Sequence, residues 1–363
     1  MSIKRIGITT GGGDAPGLNA VIRAVTLAAH NRGWECLGIR CGYDGLMHPE
    51  RFPKGGVIEL DRDAVRGIAH TGGTILGTTN RGNPFENEVE QTDGSIKKVN
   101  LSDRLLDGFK EQKIDALVAI GGDGSMAIAG EVAELGINVV GVPKTIDNDL
   151  VGTVSTFGFD TAFTFATDAI GRLHSTAHSH DRVMICEVMG RYAGWIALYA
   201  GVAGSADVVL IPEIPFDIDR VAAKIKERNA NGRNFSIICV AEGAVPKGGS
   251  MSYVDGDEKR LGGMGEIVGK SLGERVPNQV RSVVLGHLLR GGSPTARDRL
   301  LSLRFGAAAV RALDEGKTNV LVALDPPTVK YIPLAECTKR QKLVPVDCDT
   351  IRTARDLGMS LGD

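Results

Sequence analysis

Between residues 114 and 150 two unbroken apolar runs each give way to a polar turn. Leu117-Val118-Ala119-Ile120 is apolar and β-prone, and so is Val139-Val140-Gly141-Val142; a helical segment around 126–135 lies between them. Strand, glycine turn, helix, strand is a parallel βαβ unit, with both strands buried. The same order recurs along the chain. Arg5–Thr9 is a short strand, Thr10–Gly17 a glycine turn, and Asn19–Arg32 a helix with Ala20, Ile22, Val25, Leu27 and Ala28 at near-helical spacing. Gly38-Ile39-Arg40 is a further strand. Thr156–Ala162 leads into a helix reaching about His174, and Val183–Val188 is a strand ending at the glycine turn Met189–Trp195. Val208–Ile211 and Phe235–Val240 are strands, 298–316 an apolar helix and 318–324 a strand. The pattern predicts an α/β protein of two Rossmann-like three-layer α/β/α domains with mostly parallel sheets. The glycine-bearing joint at 156–162 divides 1–158 plus about 290–340 from 159–289 plus about 341–363.

Composition adds bounds rather than direction. A chain of 363 residues can bury about two full cores. Its 48 glycines sit at strand ends rather than in repeats, which suits close backbone turns. A net charge of −2 gives no reason to expect nucleic acid or an acidic membrane. The six cysteines stand apart, none in a CxxC pair, so reduced core thiols are expected. No apolar run reaches the roughly 18 residues of a membrane span. Met1–Ile8 already reads as a strand, so no targeting leader and a cytoplasmic location are expected. Residues 83–100 read as a loop or short hairpin and 244–263 as an exposed loop; 345–363 is weakly informative.

The candidate chemistry lies at the strand ends. Gly121-Gly122-Asp123-Gly124-Ser125 and Pro143-Lys144-Thr145-Ile146-Asp147-Asn148-Asp149 each follow a strand of the βαβ unit, and such loops gather at the carboxyl edge of a parallel sheet. Glycines let backbone N–H groups approach phosphate oxygens, and a helix start adds positive potential. Carboxylates beside phosphates make sense if one holds Mg²⁺ and another takes a proton from an attacking hydroxyl. The Thr10–Gly17 turn is also of phosphate-binding kind, although it matches neither the dinucleotide fingerprint nor a Walker loop. Glu242 ends a buried strand, where it needs hydroxyl or cation partners; a sugar hydroxyl and a neighbouring arginine both qualify. Arg281, His287 and Arg290 surround Val283-Val284-Leu285-Gly286 as a phosphate clamp would. His174, His178 and His180 invite a metal reading, but no cysteine is near, and a partly exposed polar segment fits better.

IGGDGS followed by PKTIDND, with GGDAPG, GYDG, MGRYAG and LGHLLRGG in the same order, closely resembles the phosphofructokinase family, which phosphorylates fructose 6-phosphate at its 1-hydroxyl. The resemblance implies that Gly12, Gly13, Arg81, Gly122, Asp123, Gly124, Ser125 and Lys144 bind the phosphoryl donor in the first domain. The second domain would take the sugar phosphate. It implies Asp147 as the base, with Asp123 holding Mg²⁺ and Gly12, Arg81, Thr145 and Arg191 offsetting charge on the moving group. Thr145, Asp147, Asp149, Met189, Gly190, Arg191 and Glu242 would contact the sugar. His287 and Arg290 would bind its 6-phosphate within the subunit, and Arg182 and Arg281 would reach in from a neighbour. A homo-oligomer follows, usually a tetramer built from dimers, whose domains close to exclude water.

The donor is less plain. Pyrophosphate-using members of the family read GGDD with PKTIDND, and the common ATP-using members read GGDG with PGTIDND; this chain carries Gly124 with Lys144. An aspartate at 124 would put a carboxylate where the α-phosphate and nucleoside lie, whereas Lys144 is a flexible cation that can swing aside or bind a phosphate. ATP is therefore the expected donor and pyrophosphate the alternative. A non-catalytic phosphate-sensing homologue would have lost its base or metal ligand, and Asp123, Asp147 and Asp149 are all present.

Overall fold

The computed structural model describes residues 3–90, 94–254 and 260–363. In chain order the first strands are β1 (Arg5–Thr10), β2 (Glu35–Ile39), β3 (Val57–Glu59), β4 (Asn87–Glu90), β5 (Ile96–Val99), β6 (Ala116–Gly121), β7 (Asn138–Thr145) and β8 (Phe157–Gly158). They are followed by β9 (Val183–Val188), β10 (Val208–Leu210), β11 (Ser236–Ala241), β12 (Tyr253–Val254), β13 (Arg260–Leu261), β14 (Val280–Val284), β15 (Val320–Asp325) and β16 (Thr328–Pro333). The helices are α1 (Leu18–His30), α2 (Asp44–Met47), α3 (Ser102–Glu111), α4 (Asp123–Glu134), α5 (Phe159–Ser179), α6 (Trp195–Ala203), α7 (Ile218–Ala230), α8 (Met264–Gly273), α9 (Ala296–Asp314), α10 (Leu334–Cys337) and α11 (Asp349–Asp356).

The chain divides into two compact units. One comprises Met1–Thr145, Leu150–Gly158 and Gly291–Gln341, the other Ile146–Asp149, Phe159–Arg290 and Lys342–Asp363. The short loop Ile146–Asp149 thus belongs to the second unit, although the chain on either side of it belongs to the first.

The first unit is built on an eight-stranded sheet ordered β16-β15-β7-β6-β1-β2-β3, with β8 pairing β7 off that path. Its central pairs are parallel, and only β3 and β16 run antiparallel to their neighbours. Successive residues of β6 enter opposite cores. Ala116, Val118 and Ile120 pack with Val21, Ile22 and Val25 of α1 and Phe305 and Ala309 of α9. Leu117 and Ala119 pack with Leu105 and Phe109 of α3 and Met126 and Val132 of α4. A strand covered by helices on both faces has no solvent side, so its sequence is an apolar run rather than an alternation. On the outer layer α9 lies hard against α1: a Cβ at Gly306 would stand 2.7 Å from Ala24 Cβ and 2.8 Å from the Val21 carbonyl oxygen.

The second unit holds a four-stranded parallel sheet ordered β10-β11-β9-β14. Val183, Ile185, Ile238 and Val240 meet Val221 and Ile225 of α7 and Val268 and Leu272 of α8 on one face, while α5 and α6 cover the other. The two edges differ. Ser360 in the C-terminal tail bridges Val208 and so covers β10. β14 is an edge strand with Arg281, Ser282, Val283 and Val284 exposed.

Several boundaries move from their sequence-based positions. The helix expected at 126–135 begins at Asp123, because Gly122 takes the N-cap position. The strand expected at Val139–Val142 continues to Thr145, which puts Lys144 and Thr145 on it. The helix α5 runs past His174 to Ser179. Residues 83–100 contain the hairpin β4–β5 and the 244–263 loop contains the pair β12–β13; 91–93 and 255–259 lie outside the described residues. His287 and Arg290, expected around one short strand, lie on a 3-10 turn, Gly286–Arg290, beyond the exposed β14. Among the described residues no helix is long and apolar enough to cross a membrane.

Candidate active site

In the first unit the ends of β1, β6 and β7 bring three loops together. The Gly11 N–H donates to Ile120 O (2.9 Å) and the Gly12 N–H to Thr79 O (3.1 Å). The Thr78 hydroxyl donates to Gly12 O (2.5 Å), so the 78–79 segment holds the glycine turn from one side. Ser125 packs from the other: a Cβ at Gly121 would fall 2.2 Å from Ser125 Cβ, and one at Gly11 2.8 Å from Ser125 Oγ. Gly12 has φ +76°, a left-handed conformation suited to glycine, and a Cβ there would lie 3.5 Å from Lys144 Nζ. Lys144 is buried, its ammonium beside the glycine turn rather than free to swing as the sequence suggested. Arg81 is exposed, its backbone N–H held by the Thr79 hydroxyl at 3.1 Å.

These loops can hold phosphate. The helix α4 starts at Asp123 with no side-chain cap from Gly122, so its positive end faces the turn. Gly124 is different from its neighbours. It lies in the helix, is exposed, and a Cβ there would meet nothing within 4 Å. Neither conformation nor packing demands glycine at 124, and its effect is to leave the space in front of the helix open. Among the described residues no three His, Cys, Asp or Glu side chains converge on a metal position. Asp123, in the first turn, fits a Mg²⁺ ion completed by phosphate and water oxygens, the usual way this ion is held.

In the second unit Asp147, Asn148, Asp149 and Glu242 are all buried. Glu242 follows β11, and its Oε1 accepts the Gly190 N–H (3.2 Å) and the Arg191 N–H (2.9 Å). Backbone amides therefore hold Glu242, not the arginine side chain that was one alternative. The turn after β9 is shaped for this: Gly190 has φ +150° and Arg191 φ +49°. A Cβ at Gly190 would stand 2.6 Å from Ala193 O, and one at Gly243 only 2.1 Å from Arg191 O. Burial pushes the Glu242 carboxyl up to about 7, the Asp147 charge adds to the rise, and the Arg191 N–H opposes it.

The expected 6-phosphate groups fall at the open edge of the second sheet. Arg182 precedes β9, and its Nε donates to Gln279 Oε1 (2.7 Å). Arg281 lies in the register β14–β9 opposite Met184, exposed, with Nη1 donating to Val280 O (3.0 Å). His287 is exposed and Arg290 half-buried on a turn that packs against α5. His174 and His178 pack against the Phe235 ring, and His174 Nε2 bonds Gly204 O at 2.8 Å.

Four contributors escaped sequence reading. Thr78 secures Gly12, as above. Glu213 accepts N–H bonds from Gly194 (3.0 Å) and Val344 (2.8 Å). Trp195 Nε1 donates to Lys342 O (2.7 Å), and Lys342 Nζ donates to Asn148 Oδ1 (2.8 Å). The β-strand glycine loops carry a local signal, whereas nothing local marks a lysine far along the chain as a partner of the 146–149 loop.

Comparison with known proteins agrees with this geometry. The Phosphofructokinase family model matches residues 5–313. The chain is 51% identical to the ATP-dependent 6-phosphofructokinase of Chloroflexus aurantiacus, over 99% of this chain and 98% of that protein. It is 46% identical to the pyrophosphate–fructose 6-phosphate 1-phosphotransferase of Amycolatopsis methanolica, over 94% of this chain and 96% of that protein. The crystal structure of Pichia pastoris phosphofructokinase in the T-state superimposes with a TM-score of 0.79 at 30% identity, covering 98% of this chain; the chain spans 36% of that longer one.

The raised Glu242 pKa has a measurable consequence. Its folded value of about 7 lies above the ordinary 4.5, so the folded state holds the proton more tightly. The stability this contributes is full below about pH 4.5 and is lost as pH rises through 7. Urea midpoints of the native protein and Glu242→Gln should therefore diverge between pH 4.5 and 7, the native protein declining more, by an amount on the order of 3 kcal/mol. Parallel profiles would show that Glu242 titrates normally.

Proposed function

The chain belongs to the phosphofructokinase family, and from that premise we infer that it is an ATP-dependent 6-phosphofructokinase. It transfers the γ-phosphoryl group of ATP to the 1-hydroxyl of fructose 6-phosphate, giving fructose 1,6-bisphosphate and ADP. Asp147 takes the hydroxyl proton, the sugar oxygen bonds to the γ-phosphorus, and the bond from phosphorus to the bridging oxygen of ADP breaks. Gly13, Gly122, Gly124, Ser125 and Lys144 hold the donor phosphates. Arg81, Thr145 and Arg191 offset charge on the moving group, together with the Gly12 N–H once it exchanges the Thr79 carbonyl for a phosphate oxygen. Asp123 would hold Mg²⁺, which neutralises charge on the donor phosphates when bound. Met189, Gly190, Asp149 and Glu242 bind the sugar, and His287 and Arg290 its 6-phosphate. The six free cysteines, four of them buried, suit a reducing compartment, and we place the enzyme in the cytoplasm.

The observation that carries the donor assignment is the empty space beside Gly124. Glycine there is not required by the fold, so its role is to leave room for the nucleoside end of ATP. Pyrophosphate has a supporting feature of its own, the buried Lys144 beside Gly12.

The exposed edge of β14 supports a homo-oligomer, which we read as a tetramer built from dimers. Val284 is 58% exposed and Leu288 63% exposed, and an apolar open edge is ordinarily covered by another chain. Arg281 on that edge and Arg182 beside it would then enter a neighbour's site.

Asp147→Asn should lower kcat by about 10²-fold or more while fructose 6-phosphate still binds, measured by steady-state kinetics and calorimetry; unchanged turnover would remove Asp147 as the base. For the donor, native enzyme should show higher kcat/KM with ATP than with pyrophosphate, and Gly124→Asp, which fits without collision, should abolish ATP use. Turnover of the native enzyme with pyrophosphate alone would reverse the assignment. For shared sites, mixing inactive Arg281→Ala subunits with inactive Asp147→Asn subunits should restore part of the activity. Verified hybrids with no activity would confine each site to one subunit.

A further inference from the structure

Lys342 is a half-buried cation that the reaction as described does not use. It opens the last stretch of the second unit and is fastened at four points. Its backbone N–H donates to Asp149 O at 2.7 Å. Its carbonyl accepts the Trp195 Nε1–H at 2.7 Å. Its Nζ donates to Asn148 Oδ1 at 2.8 Å and stands 5.6 Å from the centroid of the Trp195 ring. Two residues on, the Val344 N–H donates to Glu213, the same carboxylate that holds the Gly194 N–H.

The segment 342–344 therefore ties two loops together. One is the loop after β7, in which Asp147 immediately precedes Asn148. The other is the Met189–Trp195 turn, whose Gly190 and Arg191 amides hold Glu242. Asn148 sits at φ +53°, a left-handed conformation that asparagine visits more readily than other side-chain-bearing residues but that its surroundings still have to fix. The bond from Lys342 to the Asn148 side chain, with the bond from its backbone to Asp149, supplies that fixation one residue from the base. The ammonium is attracted by the Asp149 carboxylate of the same loop. Burial pulls its pKa down to about 8 against the opposing pull of Asp149. A lysine in that position costs stability in its charged form, so bulk stability is not what it provides.

We propose that Lys342 is a positioning residue for phosphoryl transfer: it fixes the Asp147–Asp149 loop to the Trp195 end of the sugar-binding turn and thereby sets the orientation of the base carboxylate. The proposal rests on Asp147 being the base, so Asp147→Asn is run beside it. Activity in Asp147→Asn would remove that reading, whereas an inactive Asp147→Asn with a normal Lys342 variant would remove only this one.

The test is Lys342→Met, which keeps the stem over Trp195 and both backbone bonds but loses the ammonium. The expected result is a fall in kcat of about tenfold or more, with KM for ATP within about twofold of native. The acid limb of the kcat–pH profile should move to higher pH, because carboxylates that lose a neighbouring cation hold their protons more tightly. Lys342→Arg should recover part of kcat. Asn148→Gly, which keeps the left-handed backbone accessible and removes only the acceptor, should lower kcat similarly, and the losses in the double variant should not multiply. A kcat for Lys342→Met within twofold of native, an unmoved acid limb, or multiplying losses would each overturn the proposal. If Lys342→Met fails to fold, Asn148→Gly decides alone, and native-like kcat there overturns it.

Discussion

Burying several carboxylates in one place is the constraint on which the second unit depends. Asp147, Asp149 and Glu242 are all buried, and burial, with the Asp147 charge adding to it, raises the Glu242 pKa. Desolvation and like-charge repulsion both disfavour the arrangement, so the surrounding chain has to be built to hold it. The turn after β9 bends through two positive-φ residues to aim its N–H groups at Glu242. The segment from Lys342 meets the other end with an ammonium and a backbone donor. Such expense at one spot is the ordinary sign of a place kept for chemistry.

The first unit solves a different problem, bringing backbone close to phosphate. Gly11 and Gly121 are there because side chains would collide with Ser125, and Gly12 because its φ of +76° favours glycine. Gly124 has no such reason, since a side chain at that helical position would reach open space. The distinction matters because a run such as GGDG looks uniform on paper. Its glycines serve two ends: some allow the turn to close, and one keeps a volume free for what binds there. Substrate selection can thus reside in a residue that the fold tolerates losing.

Family membership and the geometry support each other at different levels. Full-length identity near one half to a named ATP-dependent 6-phosphofructokinase speaks for the reaction, while a pyrophosphate-using relative at similar identity means that overall likeness does not by itself choose the donor. In the proposed reading that choice falls to a local volume beside Gly124 and to the buried Lys144. Likewise the unpaired edge of β14 is a local feature, an apolar and basic strand left uncovered in one chain, and it is this edge that gives the expectation of shared sites its physical content.

The α/β class, the parallel sheets and the loops that carry the chemistry were legible in the sequence because each is a local statement. Apolar runs such as Leu117–Ile120 follow from a strand covered on both faces, and a glycine turn after it follows from the helix that must begin there. Asp123, Asp147 and Glu242 stood out as candidates for the same reason, as acidic residues at the ends of apolar strands. What the sequence left open were properties of contact between distant segments. That Asp123 lies inside the first helical turn, that Lys144 is buried against Gly12, and that Glu242 is held by amides rather than by an arginine depend on how loops close on one another. The Lys342 contacts with Asn148 and Trp195 are the extreme case: they join positions 194 and 147 residues apart, and no periodicity or spacing rule reaches across such a separation. Only the tertiary structure brings those groups within hydrogen-bonding distance, because their pairing depends on how distant segments of the chain close on one another.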